Sequence, residues 1–188
     1  PLTLAETASV FGEMLTFRKI LDAAPDQATR KRLLAGKVED MINTVVRQIA
    51  FYDFECKLHA ARAQGELTPD QINEIWMSIQ AESLGPVFNF MDGYETFWSY
   101  IPHFIHSPFY VYAYAFGDGL VNALYAVYEE GGEGFQDKYF ELLKAGGSKH
   151  HKELLEPFGL DASDPKFWDK GLSLIASMID ELEAMEDA

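Results

Sequence analysis

Residues 26–63 read DQATRKRLLAGKVEDMINTVVRQIAFYDFECKLHAARA. Leu33, Leu34, Val38, Met41, Ile42, Val45, Val46, Ile49, Phe51 and Phe54 recur there mostly every third or fourth residue. That spacing stacks apolar side chains on one side of an α-helix, so the stretch predicts one long amphipathic helix, bent near Gly36. The same period extends outward in both directions. Residues 4–21 lack proline and are rich in Ala, Leu, Met and Phe, which predicts a helix closed by Ala23-Ala24-Pro25-Asp26. Downstream, Thr68-Pro69-Asp70-Gln71 has a capping-box pattern with proline at the first helical position, opening a helix to about Ser83. Residues 85–98 carry the turn signals Gly85-Pro86 and Asp92-Gly93 and read as irregular. Ser107-Pro108 then opens a long aromatic helix to Tyr128, broken by Gly131-Gly132-Glu133-Gly134. Residues 135–145, 148–158 and 164–185 complete the series, the last opened by Ser163-Asp164-Pro165. Strand-type alternation is nearly absent. The expectation is an all-α multi-helix bundle, six or seven helices around one core, with residues 1–188 as a single helical domain.

Composition narrows the function. The 188 residues are 48% hydrophobic and 14% aromatic, enough apolar surface for a substantial core. Fifteen Lys and Arg against thirty Asp and Glu leave a formal charge of −15, and no basic cluster is longer than Arg30-Lys31-Arg32. Duplex binding needs cations gathered on one face, so nucleic acid is a poor partner, and so is an anionic membrane. One cysteine, Cys56, makes neither an internal disulfide nor a thiolate metal site, which points to a reducing, cytoplasmic setting. The longest apolar run, residues 108–117, falls short of the roughly twenty residues that span a bilayer. The chain starts at Pro1 with neither methionine nor signal peptide and reads as a fragment.

One helix breaks its own pattern. At about 100° per residue, Glu6 and Glu13 project about 20° apart, between Ile20 on one side and Val10 and Phe17 on the other. A carboxylate in an apolar sector needs a cation, because burying it alone costs several kcal/mol. A neighbouring Arg or Lys is one solution, with Arg47 available; a divalent metal is the other. The remaining metal ligands do not follow from spacing. No His-Glu-x-x-His occurs, and no two of His59, His103, His106, His150 and His151 stand four apart on one helix.

The second unusual stretch is His103-Phe104-Ile105-His106-Ser107-Pro108-Phe109-Tyr110-Val111-Tyr112-Ala113-Tyr114-Ala115-Phe116-Gly117. Tyr110 and Tyr114, four apart, share a helix face, and His106 joins them if the preceding turn is compact. Phenol and imidazole donors along one wet face suit an acyl-transfer site, where they would stabilise the oxyanion of an attacked carbonyl. The plainer alternative is an aromatic core helix whose hydroxyls reach surface or backbone, which Tyr112, on another face, fits better.

Taken together, Leu4-Ala5-Glu6-Thr7-Ala8-Ser9-Val10-Phe11-Gly12-Glu13, Ile101-Pro102-His103-Phe104 and the run from Pro108 to Gly117 resemble the C-terminal catalytic portion of the oligoendopeptidase F family. That family belongs to the thimet-oligopeptidase-like zinc metallopeptidases. Phe54-Glu55, with His59 one turn on, also resembles its long helix. The resemblance implies a helical clamshell around a deep cleft, Zn2+ as cofactor, and short peptides as substrates. It implies that Glu6 is the third zinc ligand, beside two histidines of a His-Glu-x-x-His helix. Glu13 would orient a zinc-bound histidine. His103, Tyr110 and Tyr114 would bind the scissile carbonyl and stabilise the tetrahedral intermediate.

Without His-Glu-x-x-His the chain lacks two ligands and the general base. It is therefore expected to hold zinc weakly or not at all when alone, to be inactive, and to need a missing N-terminal part of the same enzyme. Uncovered apolar surface would promote self-association. The competing class is a non-catalytic helical bundle that binds a partner or ligand through its aromatic cleft. An internal cation on the carboxylates and dry, buried tyrosines would favour it.

Overall fold

The structure is a computed structural model that describes residues 7–131 and 133–185. Among these residues all regular structure is helical. The α-helices are α1 (Thr7–Asp22), α2 (Gln27–Thr44), α3 (Val46–Arg62), α4 (Pro69–Leu84), α5 (His103–His106), α6 (Tyr112–Glu129), α7 (Phe135–Ala145), α8 (His151–Leu155) and α9 (Pro165–Ala184). Short 3-10 turns lie at Gly85–Val87, Tyr94–Tyr100 and Glu156–Phe158. The all-α expectation holds, and no helix among the described residues is long and apolar enough to cross a membrane. The chain divides into two compact units, residues 1–42 with 116–188, and residues 43–115.

In the first unit α1 presents Phe11, Met14 and Leu21 to the interior, and Phe11 sits among Tyr125, Tyr128, Phe135 and Tyr139 with ring centroids 4.5–6.2 Å apart. A Cβ on Gly171 would stand 2.9 Å from the backbone oxygen of Gly119, so α6 and α9 meet at a separation that only glycine permits. Arg30 donates from Nε and Nη2 to Glu181 Oε1 at 3.0 and 2.6 Å, joining α2 to α9. Asp164 caps α9 by accepting from the Lys166 amide at 3.0 Å, with Pro165 next, as Ser163-Asp164-Pro165 predicts.

The second unit has an aromatic core. Phe51, Phe54, Trp76, Ile79, Ile101 and Val111 are buried together, with Tyr94, Trp98 and Phe104 packed against them. Their polar atoms are satisfied: Trp76 Nε1 donates to the Tyr94 carbonyl at 3.0 Å, and Trp98 Nε1 to Asn73 Oδ1 at 2.7 Å. The capping box of α4 forms as read, the Thr68 amide donating to Gln71 Oε1 at 2.9 Å and the Gln71 amide to the Thr68 hydroxyl at 3.4 Å.

Two helix assignments need correction. The long helix of residues 26–63 is two helices, interrupted at Val45 rather than bent at Gly36. Asn43 followed by the β-branched Thr44, Val45 and Val46 is the weakest helix-forming run in the segment, whereas Gly36 sits undisturbed inside α2. Secondly, the aromatic helix does not begin at Pro108. It begins at Tyr112, after the four-residue α5 and a turn in which Phe109 has φ +58°. Left-handed backbone is rare for a bulky residue and marks a tertiary demand. The Phe109 amide in this turn donates to Glu55 Oε1 at 2.8 Å.

Candidate active site

The second unit gathers three of the residues singled out from sequence. His103 opens α5 behind Ile101-Pro102, and Tyr110 and Tyr114 flank the start of α6. His103 Nε2 lies 3.2 Å from the Tyr114 hydroxyl, which donates to a bare Nε2 and accepts from a protonated one. The His103 ring stands 5.7 Å from Tyr110 and 5.8 Å from Tyr114, and the two tyrosine rings are 5.3 Å apart. All three side chains are half-buried, so the cluster is neither a dry core nor a free surface. One imidazole and two phenols with ring centroids 5.3–5.8 Å apart supply donors that could meet a developing oxyanion. His106 is exposed at the end of α5, and Tyr112 faces elsewhere, its ring 5.6 Å from Tyr52.

Beneath the turn lies a residue not assigned a role from sequence. Glu55 on α3 is fully buried, and its Oε1 accepts the Phe109 amide at 2.8 Å. Its Oε2 is buried without a hydrogen-bond partner among the described residues. Burial pushes the Glu55 carboxyl upward in pKa, opposed by the Phe109 amide and by the nearby His59 and His103. His59, one turn along α3, lays its ring 4.8 Å from that of Phe109. The signal that could have found Glu55 is its position four residues after Phe51, on the apolar side of the helix.

The first unit contains the other acidic position. Glu6 lies outside the described residues. Glu13 is exposed rather than enclosed in an apolar sector, as is the neighbouring Ile20, and Lys37 Nζ donates to its Oε1 at 2.6 Å. Lys37 is buried, and its Nζ also stands 5.8 Å from the Phe17 ring. Arg47, which the sequence offered for that pairing, instead lies over Phe51 at 5.0 Å in the second unit. Asp118 is buried near the Lys37 and Glu13 charges; Asn122 Nδ2 donates to its Oδ2 at 2.8 Å. Burial raises the pKa of the Asp118 carboxyl, with Lys37 pulling it back.

No three His, Cys, Asp or Glu side chains among the described residues converge to hold an ion. The described donors do not by themselves fit zinc.

Residues 1–174 match peptidase family M3. Oligopeptidase PepF of Bacillus subtilis (strain 168) is 31% identical over 185 residues, covering 97% of this chain and 27% of that protein. An oligoendopeptidase F homolog of Lactococcus lactis subsp. lactis (strain IL1403) is 33% identical over 188 residues, covering 98% and 31%. The crystal structure of oligoendopeptidase-F from Enterococcus faecium superposes with a TM-score of 0.88 at 26% identity, covering 100% of this chain and 36% of that one. The chain thus spans about a third or less of the length of the relatives it matches. On the match across residues 1–174, the chain belongs to peptidase family M3.

Proposed function

We propose that this chain is the carbonyl-binding portion of a zinc-dependent oligoendopeptidase that hydrolyses short, unstructured peptides in the cytoplasm. The observation that carries this reading is the 3.2 Å pairing of His103 Nε2 with the Tyr114 hydroxyl, with Tyr110 packed against both rings. In the proposed mechanism these groups receive the scissile carbonyl. Their donors gain strength as negative charge accumulates on its oxygen, which stabilises the transition state more than the bound peptide. His103 and Tyr114 can exchange donor and acceptor roles, so the pair can supply a proton without moving a heavy atom.

Glu6 is proposed as one ligand of the parent enzyme's Zn2+, and Glu13, held by Lys37, as the carboxylate that orients a metal-bound histidine. The Lys37 pairing also gives Glu13 a purely structural use, and this favours a second reading: a non-catalytic helical scaffold that binds a partner through the aromatic cluster.

The two readings separate in a quenched fluorescent peptide assay. The 188 residues contain no His-Glu-x-x-His, so this stretch expressed alone should show no zinc-dependent cleavage. A longer protein that joins it to such a motif should cleave short peptides. Zinc-dependent turnover by the stretch alone would overturn the division of labour, and an inert longer protein would favour the scaffold.

The second unit also exposes Val87, Met91, Tyr100 and Ile105, each at least 65% accessible. Apolar surface of this kind supports cover by further protein. Alone, the stretch should therefore self-associate, with a light-scattering mass that rises with concentration; a monodisperse monomer at all concentrations would count against it.

A further inference from the structure

Glu55 is costly to keep. A fully buried carboxylate with one oxygen unpartnered among the described residues contributes little to packing, and an apolar side chain of similar size would be less costly to bury there. What it does accomplish is local. Its Oε1 takes the Phe109 amide at 2.8 Å, and Phe109 is the one non-glycine residue among those described with positive φ. That conformation reverses the chain between α5 and α6. The Tyr110 amide donates back to the Ser107 carbonyl at 3.2 Å, and the Ser107 amide to the His103 carbonyl at 2.9 Å. The reversal lays the Tyr110 ring against His103. Had the helix begun at Pro108, as its sequence favours, Phe109 would have had negative φ and this approach would not arise in the same way.

Resting on the peptidase reading, we propose that Glu55 is a positioning residue for peptide hydrolysis: by holding the Phe109 amide it fixes the left-handed turn that brings Tyr110 and His103 together. It touches neither substrate nor reacting atoms, and it acts only through the turn.

Three variants in the active longer protein test this. Glu55→Ala leaves the Phe109 amide unheld, and the turn should relax toward negative φ. The His103 ring resonances, assigned by their loss in His103→Asn, should then shift, because the ring currents of Tyr110, tilted at 5.7 Å, and of Tyr114, edge-on at 5.8 Å, depend on that geometry. Turnover should fall by about 10²-fold with KM little changed, the loss typical of a displaced group. Glu55→Gln keeps a carbonyl oxygen for the amide and should retain both resonance and turnover. Adding Phe109→Gly to Glu55→Ala should restore much of both, because glycine enters left-handed φ without help. Circular dichroism confirms that each variant is folded.

A Glu55→Ala protein with wild-type His103 resonances and turnover would overturn the proposal. So would a glycine double variant no better than Glu55→Ala, or a Glu55→Gln protein as impaired as Glu55→Ala. If the unaltered longer protein cleaves no peptide, the peptidase reading falls, while the resonance comparison still decides what Glu55 holds in place.

Discussion

Tyr114→Phe is expected to lower kcat for a short peptide by about 10²-fold or more in the longer active protein, with KM within about threefold of wild type. The substitution removes one oxygen and keeps the ring, so the 5.3 Å contact with Tyr110 and the 5.8 Å approach of His103 survive. The loss therefore reports the hydroxyl alone. A donor that strengthens as the oxyanion forms is missed in the transition state far more than in the bound substrate, so kcat and kcat/KM should fall together. His103→Ala should cost a similar factor. Because Nε2 and the hydroxyl are 3.2 Å apart and share a proton position, the double variant should be little worse than the poorer single one. Fully additive losses would mean two independent roles. Tyr112→Phe is the control: its ring packs on Tyr52 on another face, and turnover should hardly change. Wild-type kcat in Tyr114→Phe would remove Tyr114 from the carbonyl-binding role.

The helical framework was legible because its signals are local. The capping box at Thr68 and the Asp164-Pro165 start of α9 each need only a few neighbouring residues, and both formed as read. The break at Val45 was written in the run Asn43-Thr44-Val45-Val46, but the apolar period runs straight across it and dominated the reading. The start of α6 was not locally legible. Ser107-Pro108 is a sound helix-opening pair, yet the helix starts later, after a turn whose Phe109 amide donates to a residue 54 positions earlier.

The same contrast holds in the cluster. Tyr110 and Tyr114 share a face by spacing alone, while the partnership with His103 depends on a turn geometry imposed from α3. By spacing, Glu6 and Glu13 fall in an apolar sector, where a carboxylate demands a partner. Glu55, four residues after Phe51, obeys that rule more strictly, and its partner turned out to be a backbone amide rather than a cation. Glu13 does not meet the rule's premise: its side chain is 60% exposed, and it is Lys37, not the carboxylate, that is buried in their pair. Arg47 and Lys37 are equally available in sequence, and packing places Arg47 over Phe51 in the other unit.

Lys37→Met should destabilise the first unit by about 1 kcal/mol at pH 7 in denaturant unfolding, and the deficit should shrink as the pH falls. The methionine fills similar space and removes only the ammonium. Glu13, at 60% side-chain exposure, can turn to water when its partner goes, so the pair itself accounts for little of the loss. The cost falls on Asp118. Its carboxyl is buried and faces Lys37, Asn122 and Glu13; Lys37 is the only positive charge of the three. Burial already holds its pKa above the ordinary aspartate value of 3.8, and without Lys37 it rises further. An acid whose folded pKa is raised binds protons more tightly in the folded state, so folding weakens as pH climbs from the unfolded value through the folded one. Above that window the charged, unpaired carboxylate exacts its full penalty; below the ordinary aspartate value both states are protonated and the penalty vanishes. Asp118→Asn in the Lys37→Met background should therefore recover most of the loss at pH 7 and little near pH 4, where there is little left to recover. A deficit of equal size at both pH values, untouched by Asp118→Asn, would place the role of Lys37 in packing against Phe17 instead of in the charge it sets beside Asp118.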